Sequence, residues 1–164
     1  MQPSHPIDSA SINAPFKLVT GGQTGVDRAV LDAAMALSWP IGGWCPLGRR
    51  AEDGPIQAQY PLSETPSEAY AQRTAWNVRD SDATLILSSQ PLTGGTAFTL
   101  ACAGTQGKPV LVIDPQPANI HAVSDWILQV RPRVLNIAGP RASEQPNVYD
   151  QTHAFMLAML STFK

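Results

Sequence analysis

The chain has 164 residues, close to one typical domain of about 150, and a chain of that length buries a core without disulfide or metal staples. Hydrophobic residues make up 43% and charged residues 15%, against a typical charged share of about 25%, which excludes a disordered acidic or basic tail protein. The net charge of −2 carries no overall footprint for nucleic acid or an anionic membrane, so neither is expected as a partner, although a local basic pocket remains open.

The opening segment, MQPSHPIDSASINAP, has no Lys or Arg and little apolar content, and reads as a solvated arm over residues 1 to 15. Residues 16 to 164 then read as a single domain. The arm lacks the charged and apolar regions of a signal peptide, and no stretch of the chain approaches the ~18 consecutive apolar residues of a membrane span. Cys45 and Cys102 stand 57 positions apart with no CxxC pair. They read as reduced thiols of a cytoplasmic protein, with no zinc or haem signal.

FKLVT (16 to 20) is a short apolar run that stops at Gly21 and Gly22, and Val26, Ala29, Val30, Ala33, Ala34 and Leu37 follow at helical spacing. This predicts strand, glycine turn, helix. Thr24 with Asp27 three places on resembles a capping box, which puts the helix start near Thr24. A second strand is predicted over 41 to 44, followed by a charged loop, CPLGRRAEDGPI. Thr65, Pro66 and Glu68 mark the start of a helix running to Arg79. ATLILS (83 to 88) is a strand, TGGT (93 to 96) a second glycine turn, and the helix after it stops at Gly107. PVLVID (109 to 114), a helix over 117 to 130, RVLNIAG (133 to 139) and a last helix beginning near Pro146 complete the series. That last helix places Val148, Thr152, Phe155, Met156, Met159, Leu160 and Phe163 on one face. Strands alternating with helices at this spacing predict an α/β domain on a mainly parallel sheet of about five or more strands.

In such a sheet the ligand crevice lies beyond the carboxyl ends of the strands. GGQTGVDR (21 to 28) sits there, with Gly21, Gly22, Gln23, Thr24 and Gly25 in a turn that opens a helix and can present amides to a phosphate. No GK[ST] follows, so this is not a Walker A loop, and glycine at a βα turn also relieves a positive φ without any ligand. The device recurs at Thr93, Gly94, Gly95 and Thr96, which favours two helix N-termini converging on one anion.

Arg141, just after the strand at 133 to 139, can clamp a phosphate or simply face solvent. Arg49, Arg50, Glu52 and Asp53 form the densest charge cluster in a charge-poor chain and suit either an anionic ligand or internal ion pairs. Tyr70, Arg73, Thr74 and Asn77 fall at i, i+3, i+4, i+7 spacing, followed by Asp80, so this polar stripe faces either water or the crevice. The three histidines are scattered, and no HExxH or GxSxG occurs, so a metal hydrolase and a serine triad find no support and no metal ligands are assigned. Cys102 reads as core, and Cys45 as a buried, inert thiol beside the charged loop.

Together, GGQTGVDRAVLDAA, GGWCPLGRRAEDGPI, RTAWNVRDSDATLIL, LTGGTAFT and NIAGPRAS resemble the molybdenum-carrier family, a circularly permuted branch of the SLOG superfamily of Rossmann-like domains, over roughly residues 16 to 163. The resemblance implies a Rossmann-like, three-layer α/β/α ligand-binding fold in a homo-oligomer, a dimer or tetramer. Characterised molybdenum-cofactor carriers bind a phosphorylated pterin, and other SLOG members bind nucleotides or cleave an N-glycosidic bond in nucleotides. Carried over residue by residue, Gly21, Gly22, Thr24 and Gly25 with Gly94, Gly95 and Thr96 form a phosphate-side wall. Arg49, Arg50, Asn77 and Asp80 match further motif positions. The expected function is a carrier of a phosphorylated heterocycle, either a molybdopterin-type cofactor or a nucleotide, and the alternative is a phosphoribohydrolase. The family's hydrolase branch resembles PGGxGTxxE, whereas residues 83 to 113 here hold no Asp or Glu. An acid for that alternative would have to come from Glu52, Asp53 or Asp27.

Overall fold

The structure is a computed structural model that describes residues 14–163, so the expected arm lies outside the described residues but for its last two positions. Five strands make the main sheet: β1 (Lys17–Val19), β2 (Ile41–Gly42), β5 (Ala83–Leu87), β6 (Val110–Ile113) and β7 (Val134–Ala138). Their order is β2-β1-β7-β5-β6 and every pairing is parallel, with Val19 opposite Asn136 and Asn136 opposite Thr84. Interior strand β5 is buried throughout its length, as a parallel strand covered on both faces must be, while edge strand β6 is only partly covered.

The helices are α1 (Val26–Ala36), α2 (Tyr70–Arg79), α3 (Gly94–Thr105), α4 (Ile120–Val130) and α5 (Val148–Ser161). α5 packs on α1 and on α4, and α2 packs on α3, which yields the Rossmann-like three-layer α/β/α arrangement. Of the predicted inward face of α5, Val148, Thr152, Phe155, Met156, Met159 and Leu160 are buried, whereas Phe163 falls beyond the end of the helix at Ser161 and is only partly buried against the core. The core joins these residues to Leu18, Leu85, Leu87, Leu135 and Ile137 from the sheet and to Val26, Val30 and Ala33 from α1. A smaller cluster of Leu31, Cys45, Ala51, Ile56, Tyr60 and Leu62 fastens the loop after residue 45 to α1.

The structure departs from the sequence expectations at three places. The strand expected over 41 to 44 is two pieces, because Gly43 turns at φ 129 with Thr20 O only 2.3 Å from where a side chain would begin. β2 stays in the main sheet, while β3 (Trp44–Cys45) leaves it to pair with β4 (Ser63–Glu64), a strand without a hydrophobic signal. Helix α2 starts at Tyr70 and not near Pro66, because the Ser67 hydroxyl accepts from Ala69 N at 3.0 Å and the Thr65 hydroxyl donates to Ser67 O at 2.9 Å, closing local turns that compete with a helix. Thr24 does not cap α1; the cap position is Gly25, and the Thr24 hydroxyl bonds Glu52 and Ala142 N instead.

Candidate functional site

The chain after β1 leads to β2 on one side, whereas the chain after β5 leads to β6 on the other, with β7 between. This is a topological switch point, where the loops diverge and leave a crevice beyond the carboxyl ends. A cleft opens there with about 670 Å³ of empty space, including the part open to solvent. Gly21 and Gln23 line it from the loop after β1, Asn136, Ala138 and Gly139 from β7, and Gly95, Thr96 and Thr99 from α3. Helix α2 supplies Tyr70, Arg73, Thr74 and Asn77, so the polar stripe faces the crevice and not water. Asp27, Arg141 and Glu144 complete the charged lining.

The two glycine turns contribute differently. In the first, three amides already have acceptors: Gln23 N donates to the Asp27 carboxylate at 3.2 Å, Thr24 N to Gln23 Oε1 at 3.0 Å, and Val26 N to Pro140 O at 3.2 Å. Gly25, at φ 76, lies so close to the chain at Pro140 that a Cβ would come within 2.4 Å of its carbonyl. This turn therefore docks the loop after β7 onto α1. In the second turn, Gly94, Gly95 and Thr96 precede the first intrahelical bonds of α3, Thr93 makes no side-chain cap, and the space before Gly95 is open. Gly95 and Thr96 thus bring the uncapped first turn of α3 to the cleft.

Arg73 is 8% exposed and runs under the cleft floor. Its Nε donates to Tyr70 O at 3.3 Å and its Nη1 to Gly21 O at 2.8 Å, with the Asp27 carboxylate 3.9 Å away. Its Nη2 has no protein partner among the described residues, which leaves two N–H groups for a ligand. Burial pushes the Asp27 carboxyl up from its ordinary value, against the pull of Arg73, and the same burial pushes the guanidinium of Arg73 down.

Of the residues singled out in the sequence, Gly21, Gln23, Asn77, Gly95, Thr96 and Arg141 come together around the cleft. Asn77 lines it with its amide engaged, accepting from Trp44 N at 2.8 Å and donating to Trp44 O at 2.9 Å. Gly22, Thr24, Gly25, Arg49, Arg50, Asp80, Thr93 and Gly94 do not line it. Thr93 lines a neighbouring cavity that shares Thr96 and Glu144 with the cleft. Arg49 spends its guanidinium on the carbonyls of Ile56, Gln57, Tyr60 and Leu62, holding its own loop closed. Arg50 lies over the Tyr70 ring, and Asp80 accepts from Trp44 Nε1 at 2.8 Å and pairs with Arg79.

Three carboxylates stood as possible acids. Glu52 accepts from the Thr24 hydroxyl, and from Ser143 N at 3.2 Å and the Ser143 hydroxyl at 2.6 Å, tying its loop to the loop after β7. Burial acts to raise its carboxyl, but the hydrogen bonds from Ser143 and Thr24 outweigh that and hold it below the ordinary value. Asp53 takes a two-pronged pair from Arg28 at 3.0 and 3.2 Å. Asp27 is the one that lines the cleft. Glu144 and Thr99 carried no signal in the chain: Glu144 follows the strand on an exposed loop, and Thr99 is set in an apolar helix.

A profile of the circularly permutated YpsA SLOG family matches residues 18–160. Among solved structures, one described as a putative molybdenum carrier protein from Syntrophus aciditrophicus SB superposes with a TM-score of 0.83 at 43% sequence identity, covering 90% of this chain and 95% of that one. No curated protein matches. With the profile spanning nearly all of the sheet and helices, and a structural relative at that identity, this chain belongs to the circularly permutated YpsA SLOG family.

Proposed function

We propose that this protein is a small-molecule carrier that holds a phosphorylated heterocycle, of the molybdopterin or nucleotide kind, in the cleft at the switch point. The observation that carries this reading is the meeting of the unpaired amides at the start of α3 with the half-engaged, buried guanidinium of Arg73. Helix amides and a bidentate guanidinium are the groups that bind phosphate oxygens best. Gly95, Thr96, Arg73 and Arg141 take the phosphate. Tyr70, Asp27 and Asn136 take the ring. Gly22, Thr24, Gly25, Arg49, Arg50, Asp80, Thr93 and Gly94 frame the site without touching the ligand.

The relative's name supports molybdenum as cargo. Among the described residues no group of three or more His, Cys, Asp or Glu converges, so the donor set here favours gripping such a cargo through its organic phosphate and not by direct ligation. The reading extends to a homo-oligomer in the cytoplasm. Phe98 and Leu100 on α3, Val112 on edge strand β6 and Leu128 on α4 are exposed apolar side chains that support assembly. Among the described residues no helix is long and apolar enough to cross a membrane.

The test is a native mass spectrum of protein purified from its own host, followed by release and identification of the bound species. A stoichiometric phosphorylated pterin or nucleotide is expected, and consistently empty protein that no such compound stabilises against heat would overturn the reading. A second reading, N-glycosidic cleavage of a nucleotide, is favoured by one observation: Asp27 is a buried carboxyl in the cleft whose proton is held more tightly than usual. It predicts free base from a nucleoside monophosphate, and absence of turnover by the wild-type protein on a panel of these would remove it.

A further inference from the structure

Glu144 lines the cleft between Arg141 and the first turn of α3. Its Oε1 accepts from Arg141 Nε at 3.0 Å and lies 3.8 Å from the point where a Cβ on Gly94 would project, at the first turn of α3. The residue lines both the cleft and the cavity on the far side of Thr96. Its carboxylate thus faces two of the features that attract an anion here, the Arg141 guanidinium and the uncapped end of α3. The third, Arg73, is buried beyond nine-tenths and still has Nη2 free of protein partners among the described residues, which marks the cleft as built for a further acceptor. Counted formally, Asp27 and Glu144 balance Arg73 and Arg141, so the cleft is neutral before any ligand enters. A phosphate would make it strongly negative unless one carboxylate gives way.

Of the two, Asp27 is locked under the floor, whereas the Glu144 side chain is 31% exposed and sits on a loop. We propose that Glu144 is an internal anion that competes with the ligand's phosphate for Arg141 and the start of α3, and that binding requires its carboxylate to swing out. Arg141 does not follow it, because Glu52 lies 3.8 Å from the same Nε and is itself held by Thr24 and Ser143. The device sets affinity: it weakens, without abolishing, the binding of an anion held by its phosphates alone, and favours a ligand whose ring and phosphate bind together. This inference rests on the phosphate reading above.

Calorimetric titration with inorganic pyrophosphate tests it on the wild-type chain, Glu144→Gln, Glu144→Ala, Gly95→Val and, as a control for net charge, Asp125→Asn on α4. Both Glu144 variants should bind about tenfold tighter than wild type, since a like charge beside the anion is removed. Asp125→Asn should match wild type and Gly95→Val should lose binding. Unchanged or weaker binding in the Glu144 variants, with Gly95→Val still defective, overturns the internal anion and leaves the phosphate reading standing, as does an equal gain from Asp125→Asn. No binding by any form, or binding by Gly95→Val equal to wild type, overturns the phosphate reading and this inference with it.

Discussion

Two glycines that look alike in the sequence differ at the scale of single residues. Gly22 sits at φ 78, and a Cβ there would meet Leu62 Cδ1 at 2.5 Å and Ile56 Cδ1 at 2.8 Å, whereas nothing lies within 4 Å of the equivalent point on Gly95. Gly22→Val should therefore destabilise the fold by about 2 kcal/mol or more, through strain and overpacking. Gly95→Val should leave the unfolding free energy from urea melts within about 0.5 kcal/mol of wild type on the surface-substitution scale while blocking the cleft. Equal midpoints for the two variants would contradict the packing described for Gly22. Both glycines are legible as turn residues, but a sequence contains nothing about which neighbour fills the space in front of them.

Glu52 carries a pH prediction at the same scale. Its folded pKa lies below the ordinary 4.5, so its contribution to stability is complete above that value and is lost as pH falls through the lower folded value. Glu52→Gln should cost about 1–2 kcal/mol near neutrality, from the lost charge-assisted bonds to Ser143 and Thr24. In urea melts taken stepwise down to the onset of acid unfolding, the gap between the two proteins should narrow with falling pH. A gap that widens would show that Glu52 is not the ionised partner of that loop.

Among the elements, the end of α2 is held from outside the helix. Lys108 follows α3, and its Nζ donates to the carbonyls of Val78 at 3.1 Å and Ser81 at 2.7 Å and also to that of Arg79. A cation over the last carbonyls of a helix complements its dipole. Lys108→Met keeps the aliphatic stem and should cost about 1 kcal/mol, measured as a fall in the chemical-denaturation midpoint. Because α2 carries Arg73 and Tyr70 into the cleft, the same variant should also weaken ligand-induced stabilisation. On α5, Phe155→Ala empties a fully packed site between helices and should cost about 3–5 kcal/mol. The face of α5 was readable because a helix seals its own backbone bonds and leaves only a periodic stripe to bury. The start of α2 and strand β4 were not readable, since turns around Ser67 and a two-residue pairing with β3 leave no periodicity.

At the scale of the whole molecule, the exposed apolar side chains of α3, β6 and α4 bear on assembly. Light scattering on the wild-type protein should return a multiple of the 17.5 kDa chain mass, and Phe98→Glu combined with Val112→Lys should shift it toward that mass. A wild-type monomer at micromolar concentration would remove the oligomer from the proposal. A ligand at 100 times its Kd should add about 2.7 kcal/mol to stability, enough to follow each variant by melting.

By itself the chain determined the alternation of strand and helix, the parallel sheet, the two glycine turns beyond strand ends and the family resemblance, because these depend on local periodicity and on contiguous motifs. Only the tertiary structure decided which of two similar turns is packed against neighbouring loops and which has open space before it. It turned the polar stripe of α2 toward the crevice, it committed Arg49, Arg50 and Glu52 to holding loops, and it brought Glu144 before α3. These outcomes depend on distances between residues far apart in the chain. The sheet order β2-β1-β7-β5-β6 sets them, by inserting the last strand, β7, between β1 and β5. Whether a polar group is free or already satisfied is a property of its partners in space, and those partners are chosen by the packing of the layers.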